Sequence, residues 1–429
     1  MTENTRTVVS TGIIQVYLYG DFVVMRILNI ALISSIFIWF SCTVREVLSV
    51  EDNIHGNIGS EEESGIGEGE ASKGKVYVTG VEFPSYYDWA SSVEQNEEEE
   101  ALIFLMADGV RVTDFLAGRK HGVYTDPSRH RFVNGHIYSD FNIEGRTLVK
   151  RDGELLFSYD TEETVVAWAV MDGEVYTLAR REGKGAYLRK NGVLHYESHD
   201  ADILSGLYDD GPGVGFCAGK NRKRCSVDIY SDGKVMEYLC PEGLDSVLVA
   251  EKIGDDLVYV GYSSETDEYM LSCGNRSVVL ERYLYDYISE FRILRGQNCF
   301  FIYGERSDKN DNLCSPAVWT ADGLYLDFSV YDKCFSICAD SDTLYSFVGV
   351  QQYPQGMHAY KDRKELFDCG SWMTVRSDRA SAVSEGKLYF IYEKSRPYLR
   401  PCLSVDGDET QYGFNGFFSG ISVWQPVSH

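Results

Sequence analysis

The sequence predicts an all-β fold, a single β-propeller of eight four-stranded blades in a ring closed by the C-terminal strand. Three observations predict it. A turn dipeptide returns every forty-odd residues, short apolar strands keep time with it, and the two ends of the periodic region complement each other. The dipeptides are Asp108-Gly109, Asp152-Gly153, Asn191-Gly192, Asp232-Gly233, Gly274-Asn275, Asp322-Gly323, Asp362-Arg363 and Asp406-Gly407. Their intervals are 44, 39, 41, 42, 48, 40 and 44 residues. Asn-Gly and Asp-Gly suit two-residue hairpin turns, whose central positions need φ > 0. Gly274-Asn275 and Asp362-Arg363 lack that chemistry and rest on their place in the series.

The strands come next. "VYVTG" (76–80), "HIYSD" (136–140), "EVYTL" (174–178), "GVGFC" (213–217), "LVYVG" (257–261), "CFFIYG" (299–304), "LYSFVG" (344–349) and "LYFIY" (388–392) precede successive tips. Before most of them lies a further apolar run, such as "TVVAWAV" (164–170), "SVLVA" (246–250), "CFSICA" (334–339) or "ASAVS" (380–384). A unit therefore reads strand, turn, strand, loop, strand, Asp-Gly, strand. Such a sheet cannot bury both faces alone, so units must stack. The body begins directly at "VYVTG" and lacks the first strand of its first unit. After the last tip the chain retains "FSGISVW" (418–424), which can supply that strand and leave few exposed edges. The matched ends favour eight blades over seven.

The pattern "VYV-G … DG/NG … LYF" resembles uncharacterised propeller-repeat lipoproteins of Bacteroidota, whose repeats carry "VYVAG … YWKNG". Here "VYVTG", "AYLRKNG" (186–192) and "AVWTADG" (317–323) carry the likeness, which extends over 75–429. The resemblance implies a propeller in the cell envelope, and it implies no activity.

Composition agrees with a folded β chain. Of 429 residues 44% are apolar, 25% charged and 13% aromatic, and rings pack well on pleated surfaces. A net charge of −26 argues against a nucleic-acid partner, which needs a locally basic surface. The basic run "KNRKR" (220–224) reads as a solvated hairpin end.

The front of the chain reads as address rather than fold. From Met25, "MRILNIALISSIFIWFSC" has a basic start, an apolar core and Ser41 before Cys42, the shape of a lipoprotein signal. Residues 1–42 are thus a signal region with Met25 as the expected start and Cys42 as the lipidated residue. Residues 43–74 form an acidic Gly/Ser/Glu tether, too polar to offset the entropy of ordering it. Together they imply an outer-membrane lipoprotein, periplasmic or surface facing, held to the membrane by its lipid.

In a propeller, turns between strands one and two and between three and four share one face, and the remaining loops share the other. The longer connections fall on the second face: 82–100, "REGKGAY" (181–187), 218–224, 262–269, 304–312, 351–358 and 393–398, with the blade crossings 117–128 and 369–379. Variable loops on a rigid frame are where binding resides. Tyr86, Tyr87 and Trp89, then Tyr353, Trp372 and Arg376, are the candidate ligand-binding residues. Such groups stack on sugar rings or anchor a protein partner. Their competing role is structural, covering blade edges. The histidines show no zinc spacing, "DKNDN" (308–312) lacks the glycine and glutamate of a calcium loop, and no nucleophile or phosphate motif occurs. No cofactor and no metal are expected. Cys217 and Cys225 flank the 218–224 loop on adjoining strands and read as facing each other across it. The expected function is capture of a glycan or an envelope protein. The alternative is a polysaccharide hydrolase or lyase with acids near the axis.

Overall fold

The computed structural model describes residues 75–83, 101–116, 129–143, 145–209, 213–222, 224–231, 233–282, 285–310, 314–329, 332–350, 356–371, 373–377, 379–394 and 400–424. They form eight antiparallel sheets, the blades of a propeller. In blade 2 the strands His130–Val133, His136–Ile143, Arg146–Arg151 and Glu154–Tyr159 pair in chain order from the inside outward. Blades 3, 5, 6 and 7 repeat this, starting at Thr164–Met171, Ser246–Ile253, Tyr287–Arg295 and Asp332–Asp340. In blades 4 and 8 two short pieces share the inner position: Ile203–Leu204 with Tyr208–Asp209, and Met373–Thr374 with Ser381–Ser384. Blade 1 takes its inner strand from the far end of the chain. Gly416–Trp424 runs antiparallel to Lys75–Glu82, with Val78 opposite Ile421 and Lys75 opposite Trp424. The C-terminal strand therefore closes the ring, two residues longer than the 418–424 read from the sequence.

The expected tips join third to fourth strands throughout the ring, apart from Asp232, which lies outside the described residues. Gly274-Asn275 is a true turn, so blade 5 is a blade. In blade 6 the turn falls one residue early, on Ala321-Asp322, and Gly323 opens the outer strand at φ 111°. Five tips share one device. The side chain of Asp108, Asp152, Asn191, Asp362 or Asp406 accepts the N–H of Val76, Ile137, Val175, Leu344 or Leu388, at 2.8–3.2 Å. The same residue's own N–H donates to that partner's carbonyl at 2.7–2.9 Å. Each tip residue thus clips its hairpin to the start of the second strand, satisfying two backbone groups at a φ of 48–51° that Asp and Asn tolerate. Asp362, weak by sequence, is a full member.

The tip glycines serve packing as well. A Cβ on Gly153, Gly192 or Gly407 would meet Phe115, Phe157 or Phe367 at 2.8, 3.0 or 3.1 Å. Each ring comes from the outer strand of the preceding blade, so glycine lets one blade's rim lie against the next blade's turn. The glycine of the "VYV-G" element answers a different need. The inner strand of blade 7 bulges between Cys334 and Ser336, and a Cβ at Gly349 would run into the ring of the bulged Phe335.

Apolar side chains pack between blades rather than within them. Val81, Ile103 and Phe417 of blade 1 meet Phe132 and Ile137 of blade 2. Tyr138 and Val149 then meet Val165 and Trp168 of blade 3, and further layers follow round the ring. Blades 7, 8 and 1 share one cluster, in which Phe347 stacks on Phe390 at 3.7 Å. Outer strands stay wet: every residue of Lys234–Leu239 is exposed.

Two expectations change. "REGKGAY" is not a long loop: Glu174–Arg181 and Lys184–Lys190 meet at the two-residue turn Glu182-Gly183, with φ 49° and 74°. Nor does Cys217 face Cys225. The hairpin pairs Lys220 with Ser226, so Cys217 stands opposite Ile229, and Cys225 lies just outside that ladder. The ten described cysteines are all free thiols.

Candidate functional site

The sequence candidates belong to three consecutive blades. Segments 84–100, 351–355 and 395–399 connect second to third strands in blades 1, 7 and 8, 371–372 crosses from blade 7 to blade 8, and 375–380 joins the two inner pieces of blade 8. The described strand ends that the first three of these connections join, Glu82 with Leu102, Val350 with Gly356 and Lys394 with Arg400, stand at the end of each hairpin away from its tip. Tyr86, Tyr87, Trp89, Tyr353 and Trp372 lie outside the described residues, as does Cys42. Arg376 is described.

Arg376 is positioned by pairing. Met373–Thr374 lies beside the end of the second strand of blade 8, with Met373 opposite Lys394 and Thr374 opposite Glu393. The chain then brings Arg376 Nε to Glu393 Oε1 at 2.6 Å. The side chains are 14% and 4% exposed, so this ion pair is largely shielded from water. Burial pushes the Glu393 carboxyl up, and Arg376 pulls it back part of the way. The guanidinium also lies 5.0 Å from the centre of the Phe417 ring, a cation–π arrangement. A small cleft lined by Thr374, Ser377, Tyr392 and Phe418 adjoins the pair.

Phe417 links this pair to the loop of blade 1. Its ring meets that of Phe83 at 6.3 Å, and Ala101 is buried in the same cluster. The Phe83 N–H donates to the Asn415 carbonyl at 2.7 Å. The Phe83 end of segment 84–100, which carries Tyr86, Tyr87 and Trp89, is therefore anchored on the ring that Arg376 covers, and Ala101 at the other end is buried in the same cluster. Sequence reasoning missed Glu393 and Phe417. The usable signal for Glu393 was an acid closing the apolar run "LYFIYE", at a point where a blade strand is still buried.

The neighbouring acid is engaged too. Lys394 Nζ lies 2.6 Å from Glu409 Oε2, and Tyr392 donates its hydroxyl proton to the same carboxylate. Burial opposes the Glu409 charge, but hydrogen bonds from Gln411, Lys394 and Tyr392 hold its pKa below the ordinary range. Among the described residues no group of three or more His, Cys, Asp or Glu side chains could hold a metal ion.

No family model and no curated protein matches the sequence. Solved structures of similar shape include apo AztD from Citrobacter koseri, 11% identical with a TM-score of 0.45, covering 82% of this chain and 98% of that one. Dihydro-heme d1 dehydrogenase NirN is 12% identical with a TM-score of 0.49, covering 83% and 76%. The β-propeller domain of the Trilobed protease from Pyrococcus furiosus is 9% identical with a TM-score of 0.41, covering 69% and 96%. None of these likenesses bears on function. The fold rests on the strand pairing described above.

Proposed function

We propose that this protein is a membrane-tethered envelope binding protein that captures a glycan or protein partner on the loop face of blades 7, 8 and 1. One observation carries the reading: Arg376 and the Phe83 end of the loop bearing Tyr86, Tyr87 and Trp89 meet on Phe417, in the cluster that buries Ala101 at the loop's other end. Tyr353 and Trp372 belong to connections of the same three blades. Tyrosines and tryptophans on loops leaving these blades, together with a shielded arginine, suit sugar stacking or a protein hot spot. An acid–base hydrolase would need two acids at work together. Glu393, the described carboxylate that lines the cleft, is committed to Arg376 at 2.6 Å, which favours binding over catalysis.

The tether rests on the signal-like segment ending at Cys42 and on the acidic stretch after it. The test takes protein purified from membranes. Intact mass should show an acylated cysteine at position 42 and the loss of everything before it. Trp89→Ala and Trp372→Ala should then weaken capture on a glycan array, or of envelope protein in a pull-down, by ~5- to 150-fold, or 1–3 kcal/mol. Their melting temperatures should stay within a few degrees of wild type. Variants that melt far earlier yet bind as wild type does once folded would make the rings core, and end the reading.

A further inference from the structure

Blade 4 holds a pair of cysteines that the register sets opposite each other, outside the sector of the candidate face. Its third and fourth strands, Ser226–Ser231 and Lys234–Leu239, pair with Ser226 opposite Leu239 and Ser231 opposite Lys234. One step further along the same ladder Cys225 stands opposite Cys240, and the Cys240 N–H donates to the Cys225 carbonyl at 3.1 Å. At such a hydrogen-bonded pair the Cα atoms are about 5.5 Å apart. Disulfides usually span Cα atoms about 4.4–6.8 Å apart, so the pair stands within reach of one. In the packed fold the Cys225 thiol donates to the Leu244 carbonyl at 3.3 Å. Both residues are fully buried, in a cluster with Val227, Leu244 and Val247. Cys217 belongs to that cluster too, but its cross-strand partner is Ile229.

We propose that Cys225 and Cys240 form a cross-strand disulfide when the chain folds in the presence of a disulfide oxidant, such as oxidised glutathione or a dithiol–disulfide oxidase. One cysteine thiolate attacks the oxidant's disulfide and expels one of its sulfurs, leaving a mixed disulfide. The other thiolate attacks the mixed disulfide at the cysteine sulfur, closes the Cys225–Cys240 bond and expels the oxidant's second sulfur. Two protons leave the cysteines, and two electrons reduce the oxidant to two thiols. Burial raises the pKa of both thiols, so the packed fold keeps them protonated and slow to react. The bond therefore forms before blade 5 closes over blade 4. It fastens the end of an outer strand whose six residues are all exposed, Lys234–Leu239, at the side away from its turn.

The experiment refolds the full-length chain from reduced, denatured protein in a glutathione redox buffer, then blocks free thiols and digests with trypsin without reduction. Cleavage after Arg224, Lys234 and Lys252 puts Cys225 and Cys240 on separate peptides, 225–234 and 235–252, with Cys217 on a third. The expected product is 225–234 linked to 235–252, lost in Cys225→Ser and in Cys240→Ser. Reduction should lower the melting temperature of wild type by a few degrees and leave both variants unchanged, as removal of a short-loop cross-link does. Recovery of both peptides with blocked free thiols, or a link from either of them to the Cys217 peptide, would overturn the proposal. The wild-type digest decides the matter even if neither variant folds.

Discussion

Asp406 shows what the acid of a tip dipeptide does. Its carboxylate accepts the Leu388 N–H at 2.8 Å while its own N–H donates to the Leu388 carbonyl at 2.9 Å, at φ 51°. Asparagine can do the same, as Asn191 does with Val175 at 2.9 Å and 2.8 Å. Alanine can neither accept that proton nor occupy the left-handed region cheaply. Asp406→Ala should therefore lower stability by about 1–2 kcal/mol and Asp406→Asn by less than ~0.5 kcal/mol, compared by urea unfolding. Equal losses in the two variants would show that the clip contributes nothing. The recurrence of Asp and Asn at tips is legible in sequence because it answers this local requirement. The Phe115, Phe157 and Phe367 contacts with the next blade's glycine are not, since they join residues from different blades.

Among elements, the C-terminal strand has the largest consequence. Gly416–Trp424 buries Phe417, Phe418 and Ile421 and supplies the whole inner edge of blade 1. Phe417 also meets Arg376 at 5.0 Å and Phe83 at 6.3 Å. Removing residues 416–429 should leave the Lys75–Glu82 edge unpaired, with aggregation or a loss of several kcal/mol. Phe417→Ala alone should cost about 3–5 kcal/mol, as truncation of a buried ring does. Calorimetry of the two proteins tests this, and a truncated chain with an unchanged midpoint would refute closure by this strand. The missing strand at the start and the spare one at the end made this element readable from sequence. The Met373–Thr374 piece was not read, because two residues show no periodicity.

At the scale of the molecule, the thiols and phenols buried between blades set a limit on alkaline stability. Burial pushes Cys217 and Cys402, both fully buried, from the ordinary 9.0 up to about 12. Burial likewise raises Tyr138 and Tyr303 above their ordinary 10.0. The folded state keeps these protons after the unfolded state has begun to release them. The stability they contribute is therefore complete below pH ~9 and is lost as the pH rises toward 12. Each such thiol loses up to about 1.4 kcal/mol per pH unit in that window. Urea midpoints followed by tryptophan fluorescence should fall steeply between pH 9 and 11, and less steeply in Cys402→Ala. A flat profile to pH 11 would contradict this account.

The period, the eight blades and the closing strand were in the sequence, because turn chemistry and strand alternation are local properties that every unit must meet for itself. Tertiary structure alone decided which side chains from distant segments meet. Arg376 was recognised as a loop arginine, but its shielding by Glu393 and its place over Phe417 depend on how blade 8 packs against blade 1. Cys225 was matched with the wrong cysteine, because spacing along a hairpin does not fix register. One residue more or less in the 221–225 connection changes every cross-strand partner, and only the paired ladder sets Cys240 opposite it.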